Sequence, residues 1–515
     1  MTENKYKVTK YFYYSVFGIL ACSIINGYNF SMDAVTSALR AKGGEGTDAA
    51  AGKAMSLRFN EDFQIPESVF GVVTAIHTAG SLLATVLLFK AAMSMGRKTM
   101  LFASTGASIA GSLIMANAGS ALVFSAGRCV CGVGHGIGCL VVPSYLAEIS
   151  PATLQMKISS IYPFGTIFGS IIAQVAGGVF GNEERWRMFF YFSAGLSLCY
   201  AGLLLPCPES PVFCELRGMF VRARDISRLL YTERKIQKKP IPMYKRKDFT
   251  LSTNPFIVDE TEGNIIVDDG DTQESDIDTQ ADVDCGADTE LRSIITCDEE
   301  KQKKKKTFVE KFVSREHRKD VFVGVVIHMA QQFSGINILF CFSQNIFSVF
   351  KNEARAKTYS LALNAVYPAG LLLYILFGTR YQKKTFLLLS IFLVSVFIFS
   401  FSASFFLEKE TGVYLSAVFI SFTYSLGLAA IPWTFPSDLF HKEDVFSFSL
   451  FFTFVNIFVQ LLLLVFYPPL MEAVGNAVLF LFFFFFSAAS FAAIALLYRR
   501  KASEEVLFSK LDQKQ

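Results

Sequence analysis

Residues 320–350 read DVFVGVVIHMAQQFSGINILFCFSQNIFSVF. As a helix rising 1.5 Å per residue, this run is long enough to cross roughly 30 Å of hydrocarbon. Yet Gln331, Gln332, Ser334, Gly335 and Asn337 interrupt it midway. Amides placed in hydrocarbon without partners are costly. On a straight helix Gln331 and Gln332 lie about 100° apart, and Asn337 lies about 240° from Gln331. They would not share a face. A helix broken at Ser334-Gly335 can turn all three towards one hollow. Irregular backbone is tolerated at membrane depth only where it lines protein or water. Amides that bond across helices as interhelical glue are the alternative.

The same pattern of long apolar runs recurs along the 515 residues, which are 52% hydrophobic with a mean hydropathy of +0.40. A water-soluble chain could not cover that much apolar surface. We read twelve spans: 11–33, 67–93, 99–117, 121–147, 158–180, 187–206, 319–349, 358–379, 384–407, 412–438, 445–468 and 475–498. The predicted class is all-α, a polytopic membrane protein of twelve transmembrane helices in two six-helix bundles. The N-terminal bundle takes residues 1–206 and the C-terminal bundle 319–500, with a linker over 207–318 and a tail over 501–515. MGRKT (95–99) and YQKKT (381–385) occupy the same short loop of each half. Such internal symmetry places a binding site at the midplane between two repeats.

Loop charge sets the orientation. Lys5, Lys7 and Lys10 precede span 1, and Arg97 and Lys98 join spans 2 and 3. Arg380, Lys383 and Lys384 join spans 8 and 9, and Arg499, Arg500 and Lys501 follow span 12. All share one side if the N-terminus is cytoplasmic. We therefore expect both termini and the linker inside, in a multi-pass protein of the plasma membrane. No cleavable leader is evident, because MTENKYKVTK runs straight into span 1. Within the linker, residues 217–250 are basic, and RGMFVRARDISRLLYTERKIQKK is expected to be helical. From Asp259 to Glu300 there are sixteen acidic residues and one basic residue, Arg292. Too few large apolar groups remain there to bury a core, which predicts disorder over about 255–305 and a cytoplasmic insertion open to unknown regulators.

Other polar positions fall within the spans. Asn26, Asn29 and Asp33 are spaced i, i+3, i+7 in span 1 and form one stripe. Span 4 carries Gly132 and Gly136, a small-xxx-small pair that favours close helix approach, with Arg128 and Glu148 at its two ends. His77, His135 and His328 stand singly and read as packing residues, as do most of the ten cysteines, which show no metal-ligand spacing. Pro432 and Pro436 interrupt span 10 beside Trp433, and Asn456 and Gln460 share a face of span 11. Amides offer paired donors and an acceptor, and aromatic rings add apolar contact. That combination suits a neutral, polyhydroxylated solute. We find no nucleophile–base pairing, metal cluster, phosphate loop or nucleic-acid signature, so we expect no enzyme, cofactor or metal; the expected partners are a neutral sugar, the lipid bilayer and the unknown regulators of the insertion.

Taken in order, GRxxxGxGxG…PxYxxEixP in span 4 (Gly127, Arg128, Gly132, Gly134, Gly136, Pro143, Tyr145, Glu148, Pro151), PESP after span 6 (Pro208, Glu209, Ser210, Pro211), QQxSGIN in span 7 and IPW in span 10 resemble the sugar porter family of the major facilitator superfamily. The resemblance covers nearly the whole chain apart from the acidic insertion. It implies alternating-access transport of a hexose such as glucose. It also implies a substrate-binding set of Gln331, Gln332, Asn337, Phe340, Trp433, Asn456 and Asn29, and a structural role for Arg128, Gly132, Gly136 and Pro143. Glu148, Glu209 and Asp438 match the acids of an inner charge network, with Arg97, Lys98, Lys383 and Lys384 as candidate partners.

The sequence departs from the family pattern at several points. The usual span 5 glutamine falls at Pro163, the span 8 asparagine at Tyr367 with Asn364 one turn earlier, and the span 10 glutamate at Ser425. Arginines expected after spans 4 and 10 fall at Gln155 and Val445, which predicts a weakly biased inner gate. Proton-coupled members carry GYD in span 1, whereas this chain has Gly27-Tyr28-Asn29. Asparagine cannot titrate, so facilitated uniport is expected. Proton symport, and a non-transporting sugar sensor, are the alternatives.

Overall fold

The computed structural model describes residues 6–31, 67–87, 94–151, 154, 157–158, 161–180, 185–233, 317–350, 353–378, 383–440 and 442–498. The chain divides into two units, Met1–Arg234 with Phe312–Gln515, and Lys235–Lys311. The second unit lies outside the described residues, as do the expected acidic insertion, Asp33 and the tail 501–515.

Helices Lys10–Phe30, Glu67–Leu87, Arg97–Ala116, Ala121–Ile149, Tyr162–Phe180 and Trp186–Leu204 make up spans 1 to 6. Span 7 is Arg318–Phe333 continued by Ile336–Ser348, span 8 is Glu353–Phe377 and span 9 is Lys383–Phe406. Span 10 is Glu410–Ser425 followed by the short turns Ile431–Thr434 and Pro436–Leu439. Spans 11 and 12 lie in Lys442–Leu497 and part at Gly475, whose φ of +79° no helix accommodates. Seven of the described helices are long and apolar enough to cross a membrane. The burial pattern is inverted relative to a soluble protein. Leu198, Leu376, Phe485 and Leu496 are exposed, while Ser15, Asn26, Ser112 and Ser487 are fully buried. Hydrocarbon rather than water is the solvent such surfaces require.

Within the N-terminal half, span 4 packs against spans 2 and 3, and span 1 against span 5. In the C-terminal half, span 9 lies between span 10 and the last long helix. The halves meet where span 2 packs on the Lys442–Leu497 helix and span 5 on span 8. If the two halves are equivalent, spans 2 and 8 correspond, as do spans 5 and 11. A cavity lies between these contacts.

One element departs from the expected all-helical pattern. Tyr6–Val8 pairs antiparallel with Tyr231–Glu233, Tyr6 opposite Glu233 and Val8 opposite Tyr231. The helix expected over the basic linker segment therefore spans only Phe220–Leu230 and gives way to a strand. Two causes act together. Tyr231 and Thr232 favour extended backbone. The orphan carbonyls of the helix end are taken by Thr9, whose hydroxyl donates to Leu229 O at 2.8 Å and whose N–H donates to Leu230 O at 3.1 Å. The same Thr9 hydroxyl caps span 1 by accepting from Phe12 N at 3.2 Å.

Candidate functional site

The break in span 7 falls at the expected place. The helix stops at Phe333, Gly335 adopts φ +72°, and a new helix starts at Ile336. A left-handed residue this deep in a span suits glycine, which has no Cβ to clash. Ser334 stabilises the corner by donating its hydroxyl to Gln331 O at 2.6 Å and accepting from Ile336 N at 3.4 Å.

A second break faces it. Pro432 has no N–H, so the carbonyl four residues earlier, Leu428 O, loses its intrahelical donor. Gln331 Nε2 supplies the donor from across the bundle, at 3.1 Å from Leu428 O and 3.5 Å from Ala429 O. Proline in span 10 thus creates the acceptor that fixes the first glutamine of span 7. From there the amides form a chain. Asn456 Nδ2 donates to Gln331 Oε1 at 2.7 Å, Gln332 Nε2 donates to Asn456 Oδ1 at 2.8 Å, and Asn337 Nδ2 donates to Gln332 Oε1 at 2.6 Å. The helix corner is what lets Asn337 reach Gln332 five positions away.

This chain forms one wall of a cavity holding about 770 Å³ of atom-free space, its open mouth included. Gln331, Gln332, Asn337, Phe340, Trp433 and Asn456 all line it, joined by Gln460. Tyr367 and Tyr424 add phenols to the same half. The N-terminal half contributes Phe30, His135, Cys139, Tyr162, Pro163, Thr166, Ile167 and Ser170. No Asp, Glu, Lys or Arg is among the described lining residues. Trp433 closes one side, its ring edge-on to Tyr162 of the other half at 5.7 Å.

Asn29 is not part of this wall. It is 1% exposed and points into span 6, where Oδ1 accepts from Ser193 Oγ at 2.7 Å. The two described members of the span 1 stripe, Asn26 and Asn29, face helix contacts rather than the cavity, and Asn26 packs against Gly138. Conversely, His77 and His135 do not stand singly. Their rings lie 5.0 Å apart, and His135 faces the cavity. No local spacing announces such a pair, because it is assembled from spans 2 and 4. Gly132 and Gly136 hold those spans together: a Cβ at either would run into the carbonyls of His77 and Ser81. Arg128 is fully buried in the same region, its Nη1 donating to Asn29 O at 3.3 Å. Pro143 lies inside the span 4 helix.

At the loop 2–3 end, the charge network centres on Arg97. Its Nη2 lies 3.0 Å from Glu148 Oε1 and its Nε 3.2 Å from Oε2. Glu209 sits at the start of span 3, accepting from Arg97 N at 2.7 Å and Lys98 N at 3.2 Å, where the helix end favours an anion. Ser210 donates to Glu148 and so links the two acids. The lysines behave otherwise than expected. Lys98 Nζ donates to Leu205 O at 2.6 Å, and Lys384 Nζ caps the last helix at Ala495 O and Tyr498 O. Each satisfies helix-end carbonyls, and neither bonds a carboxylate among the described residues. Lys383 opens span 9. The side chain of Asp438 lies outside the described residues. The Arg97 guanidinium also covers two rings, Phe213 at 5.2 Å and Phe446 at 4.1 Å.

Comparison with known proteins identifies the family and the fold. The profile of the family described as "Sugar (and other) transporter" matches residues 15–261 and 267–502. A facilitated glucose transporter, member 2 of solute carrier family 2 from Rattus norvegicus, is 26% identical over 369 residues, 68% of this chain and 59% of that protein. The proton myo-inositol cotransporter hmit-1.2 of Caenorhabditis elegans is 31% identical over 140 residues, 26% of this chain and 23% of that protein. The chain thus spans less than two thirds of the length of these relatives. Among solved structures, the proton:xylose symporter XylE bound to 6-bromo-6-deoxy-D-glucose superposes with a TM-score of 0.70 at 16% identity, covering 94% of this chain and 96% of that one.

Proposed function

The chain belongs to the sugar porters of the major facilitator superfamily, and from that premise we propose that it moves a neutral hexose such as glucose across the plasma membrane by alternating access. The observation that carries this reading is the uncharged cavity whose four amides complete one another's hydrogen bonds. A sugar hydroxyl both donates and accepts, so it can enter such a chain by replacing an amide–amide bond without orphaning either partner. An ionic substrate would meet no counter-charge among the described lining residues. The apolar faces of Trp433, Phe340 and Phe30 suit the C–H face of a sugar ring.

The transport mode we propose is uniport, supported by the lack of a carboxylate among the described lining residues and by asparagine at position 29. Both termini are taken as cytoplasmic from the loop charges. The experiment is uptake into liposomes holding the full chain, with labelled glucose, galactose, fructose, xylose and myo-inositol, each with and without a proton gradient. Equilibrating uptake indifferent to the gradient is the expected result. Accumulation that collapses with the gradient would make the protein a symporter. Binding without uptake would make it a sensor.

A further inference from the structure

Among the described lining residues the N-terminal half of the cavity has no amide, and the position where one is usual is Pro163. Its two aliphatic hydroxyls are already committed to backbone: Thr166 donates to Tyr162 O at 3.5 Å and Ser170 to Gly27 O at 3.3 Å. A different polar feature runs inward from this wall. Tyr162 donates to Cys139 Sγ at 3.1 Å, Cys139 Sγ lies 3.4 Å from His135 Nε2, His135 Nδ1 lies 3.1 Å from Ser81 Oγ, and Ser81 donates to Gly132 O at 2.9 Å.

With the Ser81 hydroxyl donated to the carbonyl of Gly132 or of His77, Ser81 Oγ is left to accept from His135 Nδ1, and the order of the other protons follows. Tyr162 gives its proton to the sulfur and the thiol gives its own to Nε2. Nδ1–H then goes to Ser81 and the serine proton to the carbonyl. In that order His135 carries its proton on Nδ1 and presents Nε2 as an acceptor. Its ring is fixed in orientation, stacked on Phe30 at 6.1 Å and 19° and backed by His77. The group occupying Nε2 is a thiol, among the weakest donors in proteins.

Resting on the transport reading, we propose that His135 is the specificity-determining residue of the N-terminal half: Nε2 accepts a hydrogen bond from one hydroxyl of the bound sugar, which displaces the Cys139 thiol. The exchange trades a weak S–H donor for an O–H donor at a prealigned acceptor. The amides of the opposite half must instead give up good bonds to one another. His135 thus supplies from span 4 the second point of attachment that Pro163 cannot supply from span 5, and it selects for the hydroxyl facing it.

The test uses the fastest substrate of the uptake panel and the monodeoxy analogues of that sugar, with the full chain in liposomes. In the unmodified protein one analogue should have kcat/KM about tenfold below the parent sugar. In His135→Phe, which keeps the stacking ring, that ratio should fall to about one while the ratios of the other analogues stand. Cys139→Ser places a stronger O–H donor against Nε2. It should raise KM for the parent about threefold and leave KM for the selected analogue unchanged. If His135→Phe does not fold, judged by melting in detergent, the serine variant decides alone. Parent-to-analogue ratios that stay within about twofold of the unmodified protein in either variant overturn the role of His135 while leaving transport intact. No uptake or binding of any panel sugar by the unmodified protein overturns the transport reading, and this inference with it.

Discussion

The Arg97 guanidinium lies 4.1 Å from the ring centroid of Phe446, and the two residues belong to opposite halves of the chain. Both are buried, at 3% and 7% exposure. Arg97 is simultaneously held by Glu148 of its own half. Phe446 and Leu450 of span 11 join the apolar cluster of the N-terminal half at this end. The contact is a latch between the bundles made by a cation and a ring, next to the position, Val445, where an arginine was expected. A desolvated cation–π contact is worth about 2 kcal/mol, or roughly 30-fold in a population ratio. Phe446→Ala should therefore lower the closed-to-open ratio at this end by about that factor, and Phe446→Tyr should retain it. Distances between spin labels on the two halves would read the populations. Because the contact is buried, raising NaCl from about 0.05 to 0.5 M should leave the unmodified protein's distribution in place, whereas an exposed ionic gate would open. A distribution that shifts with salt but ignores Phe446→Ala refutes the latch.

The amide chain predicts coupled losses. Asn456→Ala removes the partner of Gln331 Oε1 and of Gln332 Nε2 together. A buried polar group left unsatisfied costs about 1–3 kcal/mol, so KM for sugar uptake should rise roughly 5- to 150-fold. Gln332→Ala should act similarly through Asn337 and Asn456. The double variant should fall well short of the product of the two effects, because each change already breaks the bond they share. Independent multiplication of the two effects would show that these side chains do not act as one unit.

Pro432 acts at a distance from the sugar. Pro432→Ala restores an N–H that can reach Leu428 O and so competes with Gln331 Nε2 for that carbonyl. Span 10 should gain helical continuity while Gln331 loses its anchor. The expected outcome is a higher melting temperature with a KM raised about fivefold, the value of one neutral hydrogen bond. A lower melting temperature with unchanged KM would mean that the span 10 break serves packing alone.

The residues that were legible in advance share a property: each contradicts its own surroundings. Gln331, Gln332 and Asn337 are amides in an oily run beside a glycine, and Pro432 is a proline in a membrane helix, so each announces a break or a cavity locally. Where meaning depends on a partner remote in sequence, local reading failed. Asn29 lies on a polar stripe, but a stripe gives a face and not its neighbour, which is Ser193, 164 residues away. Phe446 is one of 54 phenylalanines, and nothing local distinguishes the one beneath Arg97. Lys98 and Lys384 were expected to pair with acids because charge seeks charge, yet helix-end carbonyls nearer at hand satisfy them. The ribbon of Tyr6–Val8 with Tyr231–Glu233 is too short for any periodicity to reveal.

Close approach of spans 2 and 4 sets a last expectation. A Cβ at Gly132 would overlap His77 O, and the obstacle is helix backbone, which cannot swing aside as a long side chain can. Gly132→Ala must therefore push span 2 away from span 4, costing about 1–3 kcal/mol in packing. Gly195 of span 6 is the matched comparison, for a Cβ there meets nothing within 4 Å. Alanine at Gly195 should be neutral or stabilising by up to about 1 kcal/mol through helix propensity. Melting of the two variants in detergent separates close packing from a general intolerance of glycine replacement. Displacing span 2 also carries Ser81 away from His135 Nδ1. Gly132→Ala should consequently weaken sugar uptake even at temperatures where the fold is intact, and Gly195→Ala should not. Equal melting temperatures for the two variants would contradict the backbone contact between these spans.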